Sequence, residues 1–514
     1  MMINKTHIVI LAIIIIGVGS FLLAHKSAEA IVTTVANNGQ LTSVAVGSSD
    51  LPRIVYKDTI TGELKLIACT NISCTSSISN IISASGDFPE VRLNAFENPV
   101  IVFYQSNSVK IATCSDALCS GTITINTIET MPLSSYAATS FDFNNNGFPV
   151  ISYNDITTDD LKVAVCSNAV CSSGTIITTL DSIGGVGFGS VLKINSQGYP
   201  IIVYNDLTNN DIKLAICTQF NCSTSTLYTI YTSQGGNFLG FDLASNDNPI
   251  IAFVASSGDI LRVIACQDDM CTPGSQVVTN TYTSAGISTS SYVHLVVDSG
   301  TGYPRIAFNH GSNDDMMLIE CWRVDCSNST NVIILDPNAN VMSLTSFALG
   351  LTGIPALSYE VGNNVKLARY YAPVITQTGG STGVNEQGPT SDTFSFALGS
   401  QPSNDVTVNF TLDNSQVILS TPQLIFTNSN WDIPQIVTVT AINDIIIEGL
   451  HYDYVNYVMT SADTNFDGLI ADNIVVINIT DNDGSTSDFD SNSHNVSDSF
   501  LRYLKDDNID RSRQ

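Results

Sequence analysis

Residues 139–180 read TSFDFNNNGFPVISYNDITTDDLKVAVCSNAVCSSGTIITTL, and the fold is decided by how this stretch is parsed. Its apolar residues alternate with polar ones in short runs, 139–143 (TSFDF), 149–153 (PVISY), 161–166 (LKVAVC) and 175–180 (TIITTL). Period-two alternation rich in Val, Ile, Thr and aromatics predicts strands, and the Asn/Gly/Asp clusters between the runs predict turns. Two cysteines, Cys166 and Cys171, bracket the last of these turns. A metal site, a redox pair or a structural staple could each explain them.

The stretch recurs. LPRIVYKDTITGELKLIACTNISC, NPVIVFYQSNSVKIATCSDALC, YPIIVYNDLTNNDIKLAICTQFNC, NPIIAFVASSGDILRVIACQDDMC and YPRIAFNHGSNDDMMLIECWRVDC share its pattern, and a seventh copy, IPALSYEVGNNVKLARYYAPV, lacks the cysteines. The marker prolines Pro52, Pro99, Pro149, Pro200, Pro249, Pro304 and Pro355 are spaced by 47, 50, 51, 49, 55 and 51 residues. Four antiparallel strands per unit of this period, repeated seven times, predict an all-β, seven-bladed β-propeller over 31–373. The seventh unit runs out after three strands, while 31–36 (IVTTVA) resembles the fourth strands of other units. The N-terminal strand is therefore expected to complete the last blade and close the ring.

All 12 cysteines fall into six C-x4-C pairs: Cys69 with Cys74, Cys114 with Cys119, Cys166 with Cys171, Cys217 with Cys222, Cys266 with Cys271, and Cys321 with Cys326. Equivalent turns on different blades lie too far apart for two pairs to share a zinc ion, and redox pairs use the tighter C-x-x-C spacing. Six local disulfides are expected. They imply an oxidising compartment, and so does the N-terminus. A lone Lys5, an apolar run at 8–24 and Ala28-Glu29-Ala30 together predict a signal peptide over 1–30, with an uncleaved anchor as the alternative. The expected location is secreted, at the cell surface or periplasmic.

Lys and Arg total 19 against 47 Asp and Glu, a net charge of −28, so nucleic acid is excluded as a partner. The loops after the second strand are expected to form the ligand face, offering Asp58, Asn154, Asp155, Asn205, Asp206 and His310 to an extracellular glycan or protein. The recurring Tyr56, Tyr104, Tyr153, Tyr204, Phe253, Phe308 and Tyr359 are expected to pack between blades. Enzyme signatures are sparse. The channel-lining first strands carry only Arg92 and Lys193 as basic residues, and no H-E-x-x-H, G-x-S-x-G or phosphate loop occurs. Paired carboxylates over the channel leave glycoside hydrolysis as the alternative.

Beyond the repeats, a Gly/Thr-rich segment at 374–383 is expected to be a linker, and 384–483 alternates as a β-sandwich would. The opening N-E-x-G, the F-T-x-x-N-W-x-x-P-Q-x-V-T-V-T-A strand pair, the N-D-x-x-x-E-G turn and the closing D-N-D resemble the Calx-β family; F-T-x-x-N-W here spans FTNSNW. That resemblance implies calcium bound by Glu386, Asp444, Glu448, Asp481 and Asp483 at one end of the sandwich. Asn443 and Asn482 stand where further acidic ligands would strengthen such a site. Residues 484–514 are polar and expected to be disordered. The expected function is non-enzymatic binding or adhesion, or a structural part in an extracellular assembly.

Overall fold

The computed structural model describes residues 30–483 except 132–138, 233–237, 256–258, 285–286, 289–290, 312–314, 328–329, 338, 340, 342–345, 352, 371–372, 400–401, 403, 415, 464–465 and 467–469. The expected leader, apart from Ala30, and the expected polar tail lie outside the described residues. Among the described residues every regular element is a strand, save a 3-10 turn at Thr378–Gly380, and no helix is long and apolar enough to cross a membrane. Two compact units are formed, the first mainly from residues up to Ala372 and the second mainly from Pro373 onward.

The first unit contains seven four-stranded antiparallel sheets of β-propeller type. In the third, Thr139–Phe143, Pro149–Asp155, Asp160–Val165 and Ile176–Asp181 lie side by side in chain order, with Phe143 opposite Pro149 and Asp155 opposite Asp160. Proline opens each second strand, where it interrupts no ladder hydrogen bond. The second strands are buried on both faces, PVISYND and PIIVYND from end to end, because each sheet is covered by a neighbour on either side. Shared cores join first sheet to second, second to third, third to fourth, fourth to fifth, fifth to sixth, and seventh back to first. The N-terminal Ile31–Asn37 pairs with Asn364–Arg369 and supplies the strand missing from the seventh unit, with one bulge between Thr34 and Ala36.

Tyrosines brace the stack from within. Tyr153 donates to Glu129 (2.6 Å), Tyr204 to Asp181 (2.7 Å) and Tyr359 to Asp336 (2.7 Å), each acid lying on the last strand of the preceding sheet. A lysine of the tyrosine's own sheet, Lys162, Lys213 or Lys366, pairs with the same carboxylate.

The six disulfides are those read from the spacing, and no cysteine is free. Each links the end of a third strand, at Cys69, Cys114, Cys166, Cys217, Cys266 or Cys321, to the turn that follows it. The second cysteine of each pair, Cys74, Cys119, Cys171, Cys222, Cys271 and Cys326 in turn, is left-handed, with φ between 47° and 56°. Non-glycine residues adopt that region at a cost of about 1–2 kcal/mol, so the cystine holds a turn that the backbone alone disfavours. The spacing predicts the bridges but gives no sign of this backbone conformation. Asp116, Asn168 and Asp268 accept amide hydrogens inside these turns.

The six residues expected on the ligand face are buried instead. Asp58 accepts from the amides of Ile60 and Thr61 (both 2.9 Å) and pairs with Lys65 at 2.6 Å. Asp155 caps Thr157 and pairs with Lys162, and Asp206 caps Asn209. Asn154 donates to the Val186 carbonyl and Asn205 to that of Phe188, while His310 Nε2 lies 3.1 Å from Ser284 Oγ. They end central strands covered on both faces, and the three aspartates spend their carboxylates in capping the turns that follow.

The second unit is a two-sheet sandwich. Val374–Gln377, Ser391–Ala397, Gln435–Ala441 and Val417–Leu419 form one sheet, and Thr382–Asn385, Ile470–Thr480, Leu450–Ser461, Val406–Leu412 and Gln423–Phe426 the other. Phe396 touches Phe410, Phe426 and Tyr457 across the interior, with ring centroids 5.5–6.0 Å apart. The expected linker is corrected here. Only its TGG core turns, with Gly379 and Gly380 at φ 69° and 85°, while VITQ and TGVN on either side pair as edge strands.

Replacing Cys166 and Cys171 by alanine should lower stability in chemical denaturation by about 2 kcal/mol, the chain-entropy value for so short a loop. Glycine in place of alanine at position 171 should restore part of this, because the left-handed turn then costs nothing. Lys65, helped by the turn amides, holds the Asp58 carboxyl down at about 2. Its contribution is therefore full above the ordinary aspartate range near pH 4 and lost as pH falls through 2. Urea midpoints measured from pH 5 to 2 should fall less steeply in Asp58→Asn than in the parent.

Candidate functional site

Two places gather chemistry. The first is lined by the opening strands of the seven sheets. The residue two before each proline's partner, Val44, Val91, Phe141, Leu192, Phe241, Leu295 and Phe347, is buried between sheets. Alternation then turns the intervening positions to the other side. There Ser43, Glu90, Arg92, Ser140, Asp142, Lys193, His294 and Ser346 line a cavity of about 620 Å³.

Opening strands have a free edge, and lumen side chains satisfy it. Val44 N–H donates to Ser346 Oγ (3.1 Å), Val91 to Ser43 Oγ (3.2 Å), Phe141 to Glu90 Oε2 (3.2 Å) and Leu192 to Ser140 Oγ (3.2 Å). Ile194 donates to Asp142 (3.3 Å) and Val297 to Asp242 (2.9 Å). Each acceptor sits on the preceding sheet, and the Ser346 bond runs from the seventh sheet to the first.

Among the described residues, the charged side chains that line the cavity lie on one arc. Arg92 and Lys193 do face the lumen: Arg92 pairs with Glu90 at 3.1 Å and Lys193 with Asp242 at 2.9 Å. Burial pushes the Glu90 carboxyl up, with Asp142 adding to the effect and Arg92 opposing it. Burial alone would weaken the Arg92 charge, but Glu90, Asp142 and Asp242 outweigh it and raise its pKa. At the end where the opening strands begin, Phe88, Phe188, Phe238 and Tyr292 form an aromatic rim; Phe238 lies 6.4 Å from Phe188 and 4.0 Å from Tyr292, centroid to centroid.

The second place is one end of the sandwich. Glu386 follows an edge strand, is completely buried, and neither of its carboxylate oxygens has a hydrogen-bond partner. Around it converge Glu448, His451, Asp481 and Asp483. His451 Nε2 lies 3.5 Å from Glu386 Oε1 and 3.3 Å from Glu448 Oε2. Burial raises the Glu386 pKa, and Asp481, Asp444 and Glu448 add to this while His451 opposes it. Asp481 is the reverse case: the amides of Gly449, Asp483 and Glu448 keep it low and ionised.

A buried carboxylate with two unpartnered oxygens is expensive unless a cation satisfies it. The surrounding donors are mostly hard oxygens, the set that suits calcium. Four of the five residues implied by the family resemblance are thus brought together. Asp444 instead accepts the Ile446 amide at 2.7 Å and does not converge with the rest. His451 escapes sequence reading; three residues beyond Glu448 on a strand that turns inward, it offers no spacing signal.

No family model matches the chain, and no curated protein matches it. Among solved structures it is similar to the SapL1 lectin in complex with alpha methyl fucoside, at 10% identity and TM-score 0.40, covering 59% of this chain and 98% of that one. It is also similar to an exo-beta-1,3-galactanase from Phanerochaete chrysosporium, at 13% identity and TM-score 0.32, covering 87% and 99%. The polysaccharide lyase Uly1 aligns at 8% identity and TM-score 0.37, covering 64% and 89%.

Proposed function

We propose that this is an exported binding protein in which a closed seven-bladed propeller offers its central cavity to a neutral carbohydrate and a Calx-β-like sandwich holds calcium. The observation that carries the reading is the cavity: an aromatic rim of Phe88, Phe188, Phe238 and Tyr292 over an arc where Arg92 already pairs with Glu90 and Lys193 with Asp242. Sugars present apolar C–H faces edged by hydroxyls. Aromatic rings take the faces, and paired carboxylates, guanidinium and ammonium groups take the hydroxyls without demanding a charged ligand. A net charge of −28 disfavours polyanions.

Closure is supported by the Ile31–Asn37 pairing and by the bond from Val44 to Ser346. Export is supported by the leader-like N-terminus and six disulfides. In the sandwich, Glu386, Glu448, Asp481 and Asp483 would hold the ion, which would supply charge neutralisation and cross-link the 443–449 loop to the closing strand.

A second reading is favoured by Glu90. A carboxyl raised by burial in a cavity that also holds Asp142 has the makings of an acid–base pair for glycoside hydrolysis. One experiment separates the two. The chain from Ile31 onward, which contains every described strand, is screened on a neutral glycan array, and bound sugars are then analysed for new reducing ends. Binding without cleavage, weakened about three- to tenfold by Phe238→Ala or Tyr292→Ala, is the expected result. Cleavage abolished by Glu90→Gln would assign a hydrolase, and no glycan bound by the folded protein would sink both. For the sandwich, calcium at a hundredfold excess over its dissociation constant should stabilise by about 2.7 kcal/mol. Glu386→Gln should remove that response in thermal unfolding.

A further inference from the structure

The loop carrying Glu448 also carries Ile445, Ile446, Ile447 and Leu450, whose exposures are 90, 57, 56 and 64%. Each such side chain would gain roughly 1.5–3 kcal/mol from full burial, and the sandwich leaves them in water. The loop is nonetheless fixed. Ile446 N–H is bonded to Asp444 at 2.7 Å, and the amides of Glu448 and Gly449 are both bonded to Asp481 at 2.7 Å. Gly449, at φ 68°, makes the turn back into the strand. Asp481, one of the carboxylates that gather around Glu386, therefore also fixes the base of the loop that carries three consecutive isoleucines outward.

We propose that this loop docks the protein on phospholipid bilayers when calcium is bound, with the isoleucines entering the boundary between headgroups and acyl chains. The inference rests on the calcium reading of the Glu386 site. Three observations select a bilayer as the occupant. Without an ion, four carboxylates sit beside the apolar tip of a strongly acidic chain, and an anionic surface repels them. The ion halves the charge of those four carboxylates and so weakens the repulsion. Calcium takes six to eight oxygens, more than four carboxylates need supply, and headgroup phosphates are hard donors of the right charge to complete its shell. The tip itself is aliphatic, three isoleucines and a leucine, which matches acyl chains, whereas protein interfaces draw on Tyr, Trp and Arg at their centres.

The test uses the chain from Ile31 onward with phosphatidylcholine–phosphatidylserine vesicles, and calcium binding to the same protein is measured separately by calorimetry. Three results are expected: sedimentation with vesicles in calcium, reversal by chelator, and a loss of tenfold or more in partitioning when Ile445→Asp and Ile446→Asp are combined, with calcium binding unchanged. Calcium binding without vesicle binding overturns the bilayer proposal and leaves the calcium reading standing; no calcium binding overturns both. Vesicle binding that survives the double substitution places the contact elsewhere and also overturns it. So does a calcium-dependent dimer in analytical ultracentrifugation that the same substitution abolishes, since a second copy then covers the tip.

Discussion

A four-stranded sheet of this sequence has two apolar faces and can bury neither alone. In the third sheet Ile151, Tyr153 and Ala164 need partners from one neighbour and Val150, Val163 and Val165 from the other, which is why their core clusters lie across successive sheets. The rest of the first unit follows from this demand. Any sheet at the end of a row would expose a face about as apolar as a core, so the seventh sheet packs on the first through Val365, Leu367, Val44 and Tyr56. The strand exchange that joins Ile31–Asn37 to Asn364–Arg369 then ties the two chain ends into one sheet.

The same arrangement creates the lumen. Packing the sheets side by side brings their opening strands together with one edge of amides unpaired, and a buried unpaired amide costs roughly 1–3 kcal/mol. Serines and acids on the preceding sheet meet those amides, and two of the same acids, Glu90 and Asp242, also pair with Arg92 and Lys193. The polar lining is thus first a structural necessity. Its aromatic rim answers to no such need. Phe88, Phe188, Phe238 and Tyr292 line the cavity without accepting any of those amides.

In the sandwich, electrostatics and hydrophobicity act on one loop. Asp481, kept ionised by backbone amides, organises residues 448–449, and its neighbours press unfavourably on the buried Glu386. Folding here assembles like charge that a cation would relieve, and it does so next to an aliphatic tip that water does not favour. Both features are unfinished within the chain itself.

The strands, the period, the disulfide pairs and the missing seventh fourth strand are legible because they depend on neighbours in sequence: alternation, turn residues and cysteines five apart. Burial of the Asn-Asp pairs is not legible, since a polar pair after a strand looks the same whether it caps a turn or meets solvent. The linker reading fails for a related reason, its Gly/Thr composition hiding two edge strands that only their partners at 394–397 and 477–480 reveal. By itself the sequence determined the repeating sheet, its covalent turns and the acidic residues available to the sandwich. Only the tertiary structure decided that Glu90, Asp142, Lys193 and Asp242 share one arc, and that His451 joins Glu386. Those contacts connect residues about fifty apart in the lumen and farther apart in the sandwich, and alternation says which residues share a face but never which faces meet.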